Sequence, residues 1–165
     1  MDNNDILIRL RYALELKNKE VAEIFKLGGM DVSVPDVVKI LVKTDIDEEE
    51  NDNQIKCNNN MLDAFLNGLI IYKRGRQEPR PGQPTTPDQP LTKGANVNNL
   101  LLKKTKIALE LTTEDMLDVF KLADLRVSKA ELGALLRKEG HKNYKECGDN
   151  FARNFLKGLA IKYRG

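Results

Sequence analysis

Apolar residues recur along the chain every three to four positions. Val, Ile and Tyr never alternate with polar residues over a strand length, so the pattern predicts helices and no sheet. Four helices are expected before residue 75. The first runs from about Asp5 to Leu16, capped by Asn3 or Asn4, with Ile6, Leu7, Leu10 and Leu14 on one face. The second runs from about Lys19 to Leu27 behind Asn18, with Val21, Ile24, Phe25 and Leu27 as its apolar stripe. The third starts at Ser33, where Ser33-Val34-Pro35-Asp36 has the form of a capping box with proline in the tolerant first turn. The fourth runs from about Asn60 to Tyr72 and stops before Gly75.

The same pattern then returns. Residues 3–43 align without a gap on residues 98–138: Ala13-Leu14-Glu15-Leu16 recurs as Ala108-Leu109-Glu110-Leu111, and Phe25-Lys26-Leu27 as Phe120-Lys121-Leu122. Thr112 replaces Asn18 as a cap, and Ser128-Lys129-Ala130-Glu131 replaces the box at Ser33. After a length difference of five residues the register resumes, with Cys57 on Cys147, Phe65 on Phe155, Gly68 on Gly158 and Arg74 on Arg164. The last helix is expected over about Asn150 to Tyr163. Gly68 and Gly158 fall in mid-helix, where glycine costs about 1 kcal/mol relative to alanine. Their recurrence implies that another backbone or a bulky ring comes close.

Between the copies, Pro79, Pro81, Pro84, Pro87 and Pro90 sit among Gly, Gln and Thr with almost no apolar side chain. Such a stretch has little to bury and reads as an extended linker, able to span about 65 Å. The chain is therefore read as all-α: two tandem homologous helical units of about four helices each, joined by a Pro-rich linker. The boundaries are 1–75 for the first helical repeat, 76–96 for the linker and 97–165 for the second repeat. A unit of roughly 70 residues is marginal alone, so the copies are expected to pack on each other or on a second chain.

Composition narrows the function classes. At 165 residues, 41% hydrophobic and 32% charged, the chain is globular rather than disordered. Aromatics make up 5% and Trp is absent, which leaves few rings for stacking on bases or sugars. No apolar run approaches the ~18 residues of a membrane helix. The polar start Met1-Asp2-Asn3-Asn4-Asp5 is unlike a signal peptide, and two Cys with one His suit a reduced cytoplasmic protein. The net charge of +2 hides a separation: residues 1–75 hold 10 basic and 14 acidic side chains, net −4, whereas residues 97–165 hold 14 and 9, net +5. Opposite signs on homologous units favour head-to-tail packing over a shared nucleic-acid surface.

With the repeat laid out, Asn98-Asn99, Ala108-Leu109-Glu110-Leu111, Val127-Ser128 with Glu131-Leu132, and the run from His141 to Asp149 followed by Phe155-Leu156-Lys157-Gly158-Leu159 resemble the bacterial YehS-like family. The resemblance implies two copies of a domain of unknown function and lends no activity, substrate or catalytic residue. The first copy departs from the family in Thr44 to Asp52, an acidic stretch where the second is basic.

Few residues invite chemistry. His141 and Cys147 could pair as base and nucleophile, but Cys57 occupies the matching position with Asn51 in place of the histidine, which favours a packing role. Three N/S ligands from different copies make a poor zinc site. Asp45 to Asn53 has alternate acidic positions like a calcium loop, yet Glu50 stands where its turn glycine belongs and Lys56 where its closing glutamate belongs. Gly28-Gly29 follows a helix rather than a strand and reads as a C-cap, not a phosphate cradle.

The second and third helices of each copy suggest a helix-turn-helix, although Val34-Pro35-Asp36 suits no base edge and Lys129 is followed by Glu131. The expectation is thus a non-enzymatic protein-interaction or regulatory module, without cofactor or metal, with a protein partner or self-association. The alternative is a nucleic-acid-binding protein using the helix-turn-helix-like element of the basic second repeat. The candidate interaction residues are Glu48, Glu49 and Glu50 in the acidic loop and His141, Lys142 and Lys145 in the basic stretch, which occupy equivalent positions and would face each other if the copies packed head to tail.

Overall fold

The computed structural model describes residues 2–42, 55–74, 97–136, 142 and 144–164. The linker 76–96, the acidic residues Glu48, Glu49 and Glu50, the calcium-like segment 45–53 and His141 lie outside the described residues. Among the described residues there are eight helices and no strand. The first copy supplies α1 (Asn3–Ala13), α2 (Asn18–Leu27), α3 (Val34–Ile40) and α4 (Asn59–Arg74). The second repeats the order with α5 (Val97–Ala108), α6 (Thr113–Leu122), α7 (Lys129–Leu136) and α8 (Asp149–Arg164).

The helix starts follow capping chemistry, with three departures from expectation. Asp2, not Asn3 or Asn4, caps α1, its Oδ1 accepting from the Asp5 amide at 2.8 Å. Asn18 is already helical, and the capping position is Lys17, whose amide donates to Glu20 Oε1 at 3.0 Å. Thr112 forms the reciprocal box with Asp115, at 3.1 and 2.9 Å. The Ser33 and Ser128 hydroxyls cap, accepting from the Asp36 and Glu131 amides at 3.2 and 3.1 Å, but without the return bond of the expected boxes. The Glu131 carboxylate turns to Lys145 Nζ at 3.8 Å rather than back to Ser128.

Four helix ends close the same way. Gly29 follows α2 at φ +92°, confirming the C-cap reading, and Asp124 holds the equivalent place after α6 at +61°. Glu15 and Glu110 do the same after α1 and α5, at +53° and +54°. In each case the next residue's amide reaches the carbonyl five positions back, as Leu16 does to Arg11 at 3.0 Å.

Asn4 and Asn99, freed from capping, are buried instead. Asn4 Nδ2 donates to the carbonyls of Ile40 (2.8 Å) and Ile55 (2.9 Å), and its Oδ1 accepts from the Cys57 amide (3.0 Å). Asn99 makes the same three bonds to Leu135, Lys145 and Cys147, at 2.8, 2.9 and 2.8 Å. One side chain thus ties the start of the first helix of each copy to the end of the third helix and to the segment entering the fourth.

The fourth helix of each copy crosses the second at a glycine. A Cβ on Gly68 would run into the Ile24 carbonyl, and one on Gly158 into the Val119 carbonyl. Phe25 against Phe65 (5.3 Å between centroids) and Phe120 against Phe155 (5.7 Å) fill the space beside these crossings.

The two halves then exchange contacts: α1 packs on α8, and α5 packs on α4. Swapping the copies maps one contact onto the other, so the halves form a pseudo-twofold pair sharing one core. This replaces the head-to-tail arrangement expected from the charges. A twofold contact is set by like elements meeting symmetrically, and net charge does not decide between the two.

Candidate functional site

Both cysteines are buried, and desolvation pushes each thiol up to about 12. The Cys147 amide is held by Asn99, and its Sγ donates to the Gly148 carbonyl at 3.6 Å. A nucleophilic or metal-binding cysteine needs a lowered pKa and access; these residues have neither and pack the turn ahead of the fourth helix. Among the described residues no group of three or more His, Cys, Asp or Glu is placed to hold a metal ion.

The helix-turn-helix-like element of the second copy is α6, the turn 123–128, and α7. Its groove of about 620 Å³ is lined by Leu117, Asp118, Lys121, Arg126, Ser128 and Glu131 among others, two cations and two carboxylates. Lys129, the basic residue opening α7, lies 2.9 Å from Glu114 Oε1, and that bond holds the Glu114 carboxyl below its usual range. The basic residue that opens α7 is thus already paired with a carboxylate at the surface.

Of the interaction residues expected from sequence, Lys142 is exposed and Lys145 is engaged within its own copy. The Lys145 amide donates to the Ala134 carbonyl at 3.0 Å, and its ammonium sits 5.3 Å from the Phe151 ring centroid and 3.8 Å from Glu131.

The outer face of α3 is different. Ser33 fixes its start, and Val37 and Ile40 bury its inner face. Val34 and Val38, one turn apart on the outer face, are 42% and 49% exposed, with Pro35 exposed between them. The second copy places Lys129 and Gly133 at those positions. An apolar pair on a solvent-facing turn, beside Asp31 and leading into the acidic run of 45–52, is the clearest surface difference between the copies.

Sequence reasoning missed a buried polar group. Lys104 on α5 is 2% exposed and Asp63 on α4 is 5% exposed; Lys104 Nζ donates to Asp63 Oδ1 at 2.5 Å and to Asn67 Oδ1 at 2.7 Å. The signal was there, since Lys104 stands among Leu101, Leu102, Thr105 and Ala108 on an otherwise apolar stripe. Removing either partner alone would leave the other charge buried and uncompensated. The pair sits in the contact between the halves.

Two helical copies with matching caps, matching asparagine ties and matching glycine crossings agree with the sequence comparisons. The pattern of the DUF1456 family, described as a protein of unknown function, matches residues 3–75 and 98–165. The chain belongs to this family. It is also 37% identical over 162 residues to the uncharacterised protein YehS of Escherichia coli (strain K12), covering 98% of this chain and 96% of that one. No solved structure matches it. Among the described residues no helix is long and apolar enough to cross a membrane.

Proposed function

We propose that the chain is a non-catalytic protein-interaction module of the cytoplasm, and that the outer face of α3 is its docking surface. The observation carrying this reading is the exposed Val34 and Val38 pair, present in one copy and replaced by Lys129 and Gly133 in the other. The partner that fits is a protein presenting apolar side chains flanked by basic ones, because the first copy is net −4 over residues 1–75. The two free, buried cysteines suit a reducing compartment. Nucleic-acid binding through α6, the turn and α7 has less support, since Lys129 is tied to Glu114 and Glu131 stands beside it.

A labelled amphipathic helical peptide of Leu and Lys, titrated into the full chain and followed by fluorescence anisotropy, tests this. Micromolar binding that weakens about tenfold or more in V34D/V38D supports the reading. Both sites are exposed, so the fold should survive the change. A Leu and Glu peptide should not bind. Equal binding by the variant overturns the reading. Concentration-dependent dimerisation lost in V34D/V38D would also overturn it, by making a second copy the occupant.

A further inference from the structure

The two contacts between the halves pair equivalent helices but differ in charge. Their common register is visible at one end. Arg74 Nε lies 3.3 Å from Glu110 Oε1 in the α4·α5 contact, and its equivalent Arg164 Nε lies 3.8 Å from Glu15 Oε1 in the α1·α8 contact. Arg164 also donates to the Tyr12 carbonyl at 3.1 Å and stacks 4.1 Å over the Tyr12 ring. The same equivalence takes Lys104 to Arg9, Asp63 to Arg153 and Asn67 to Lys157.

Where α4·α5 buries a cation against a carboxylate and an amide, α1·α8 carries two arginines and a lysine at the equivalent positions. All three side chains are exposed. No carboxylate among the described residues lies within ion-pair distance of any of them. Asp149, one turn before Arg153, accepts from Asn98 Nδ2 at 2.9 Å; that bond, with a smaller contribution from the Arg153 charge, holds its carboxyl below the usual range. Three like charges gathered at one seam repel one another, and an anion would relieve that repulsion.

We propose that Arg9, Arg153 and Lys157 form a phosphate-binding site that takes the phosphodiester backbone of a nucleic acid. Guanidinium forks match phosphate oxygens two at a time, which a lysine alone does not do. Arg153 and Lys157 stand one turn apart on α8, about 6 Å along its axis. They belong to the copy with net charge +5 over residues 97–165, so the surrounding field also favours a polyanion. Three contacts to backbone phosphates carry no base readout, and the binding is expected to be indifferent to sequence.

The test is anisotropy of a labelled random-sequence DNA duplex with the full chain across a salt series. Neutralising three phosphates predicts a log–log salt slope of about −2.7, falling to about −0.9 in R153Q/K157Q, with binding at least tenfold weaker at low salt. R153D rebuilds the counterpart of Asp63 beside Arg9. It is expected to abolish DNA binding while raising the thermal midpoint, a combination that a merely structural role would not produce. K129Q, on α7, should leave binding unchanged.

Four results would overturn the proposal: no binding at low salt, an unchanged slope in R153Q/K157Q, loss of binding in K129Q instead, or R153D lowering stability and leaving binding intact. Millimolar pyrophosphate that protects the chain from thermal unfolding while the duplex fails to bind would assign the site to a small phosphate and overturn the nucleic-acid source.

Discussion

Replacing either crossing glycine by alanine should destabilise the protein although it improves the helix. A methyl at Gly68 would fall well inside the Ile24 carbonyl and 2.9 Å from the Gly28 amide nitrogen, both backbone atoms that no rotamer change can move. At Gly158 it would meet the Val119 carbonyl and lie 2.9 Å from Val119 Cγ1. The two helices must separate by more than an ångström to admit it, loosening the Phe25–Phe65 or Phe120–Phe155 pair beside the crossing. Overpacking of this kind costs about 1–3 kcal/mol, and here the upper end applies because backbone must yield. Helix propensity returns about 1 kcal/mol. The net expectation is a loss of about 2 kcal/mol for each variant, or a fall of about 4–8 °C in Tm for a chain of this size. Gly133 in α7 is the control, since a Cβ there would meet nothing within 4 Å. Gly133→Ala should gain up to about 1 kcal/mol from propensity alone. Urea melts followed by circular dichroism would read all three. Gly68→Ala and Gly158→Ala variants that match or exceed the stability of Gly133→Ala would refute the close crossing.

Asn99→Ala should cost about 3 kcal/mol or more in the same melts, because it leaves the Leu135 and Lys145 carbonyls and the Cys147 amide without their partner. Ser128→Ala should cost about 1 kcal/mol by freeing the Glu131 amide, and Lys129→Ala clearly less; equal losses would tell against the cap. The thiols set an alkaline limit. They ionise near 8.5 when unfolded and only at about 12 when folded. Above pH 9 the unfolded chain therefore releases protons first and stability falls as pH rises, each thiol steepening the slope by up to about 1.4 kcal/mol per pH unit until it ionises in the folded state too. A C57A/C147A variant should show a flatter decline between pH 9 and 11, and an unchanged slope would mean the thiols are accessible in the native chain.

Helix count, order and duplication were legible because caps and apolar spacing are local signals, repeated twice. Ser33, Thr112 and Ser128 cap where their spacing indicates. Asn4 and Asn99 misled because asparagine suits a cap in isolation, and only the tertiary fold offers it three buried backbone groups instead. The glycine crossings were legible because an unfavourable residue recurs in the same phase. The mutual arrangement of the copies was not, since net charge says nothing about which faces meet. Lys104 and Asp63 lie 41 residues apart with the linker between them, and neither predicts the other without the contact. The α3 face was not legible because only packing decides which side of this seven-residue helix meets solvent, and it buries Val37 and Ile40 while exposing Val34 and Val38.

The exchange of α1 and α5 between halves also bears on ancestry. In a pair of identical first copies, Arg9 would meet Asp63 and Asn67 at both seams. In a pair of identical second copies, Lys104 would meet Arg153 and Lys157 at both. The first arrangement is a self-complementary homodimer and the second is self-repelling. Covalent fusion leaves each copy opposite a non-identical mate, with one seam holding the buried Lys104–Asp63 pair and the other held at its end by Arg164 on Glu15 and Tyr12. With the halves joined in one chain, the middle of the α1·α8 seam need not be self-complementary for the copies to meet, and Arg9, Arg153 and Lys157 stand exposed there.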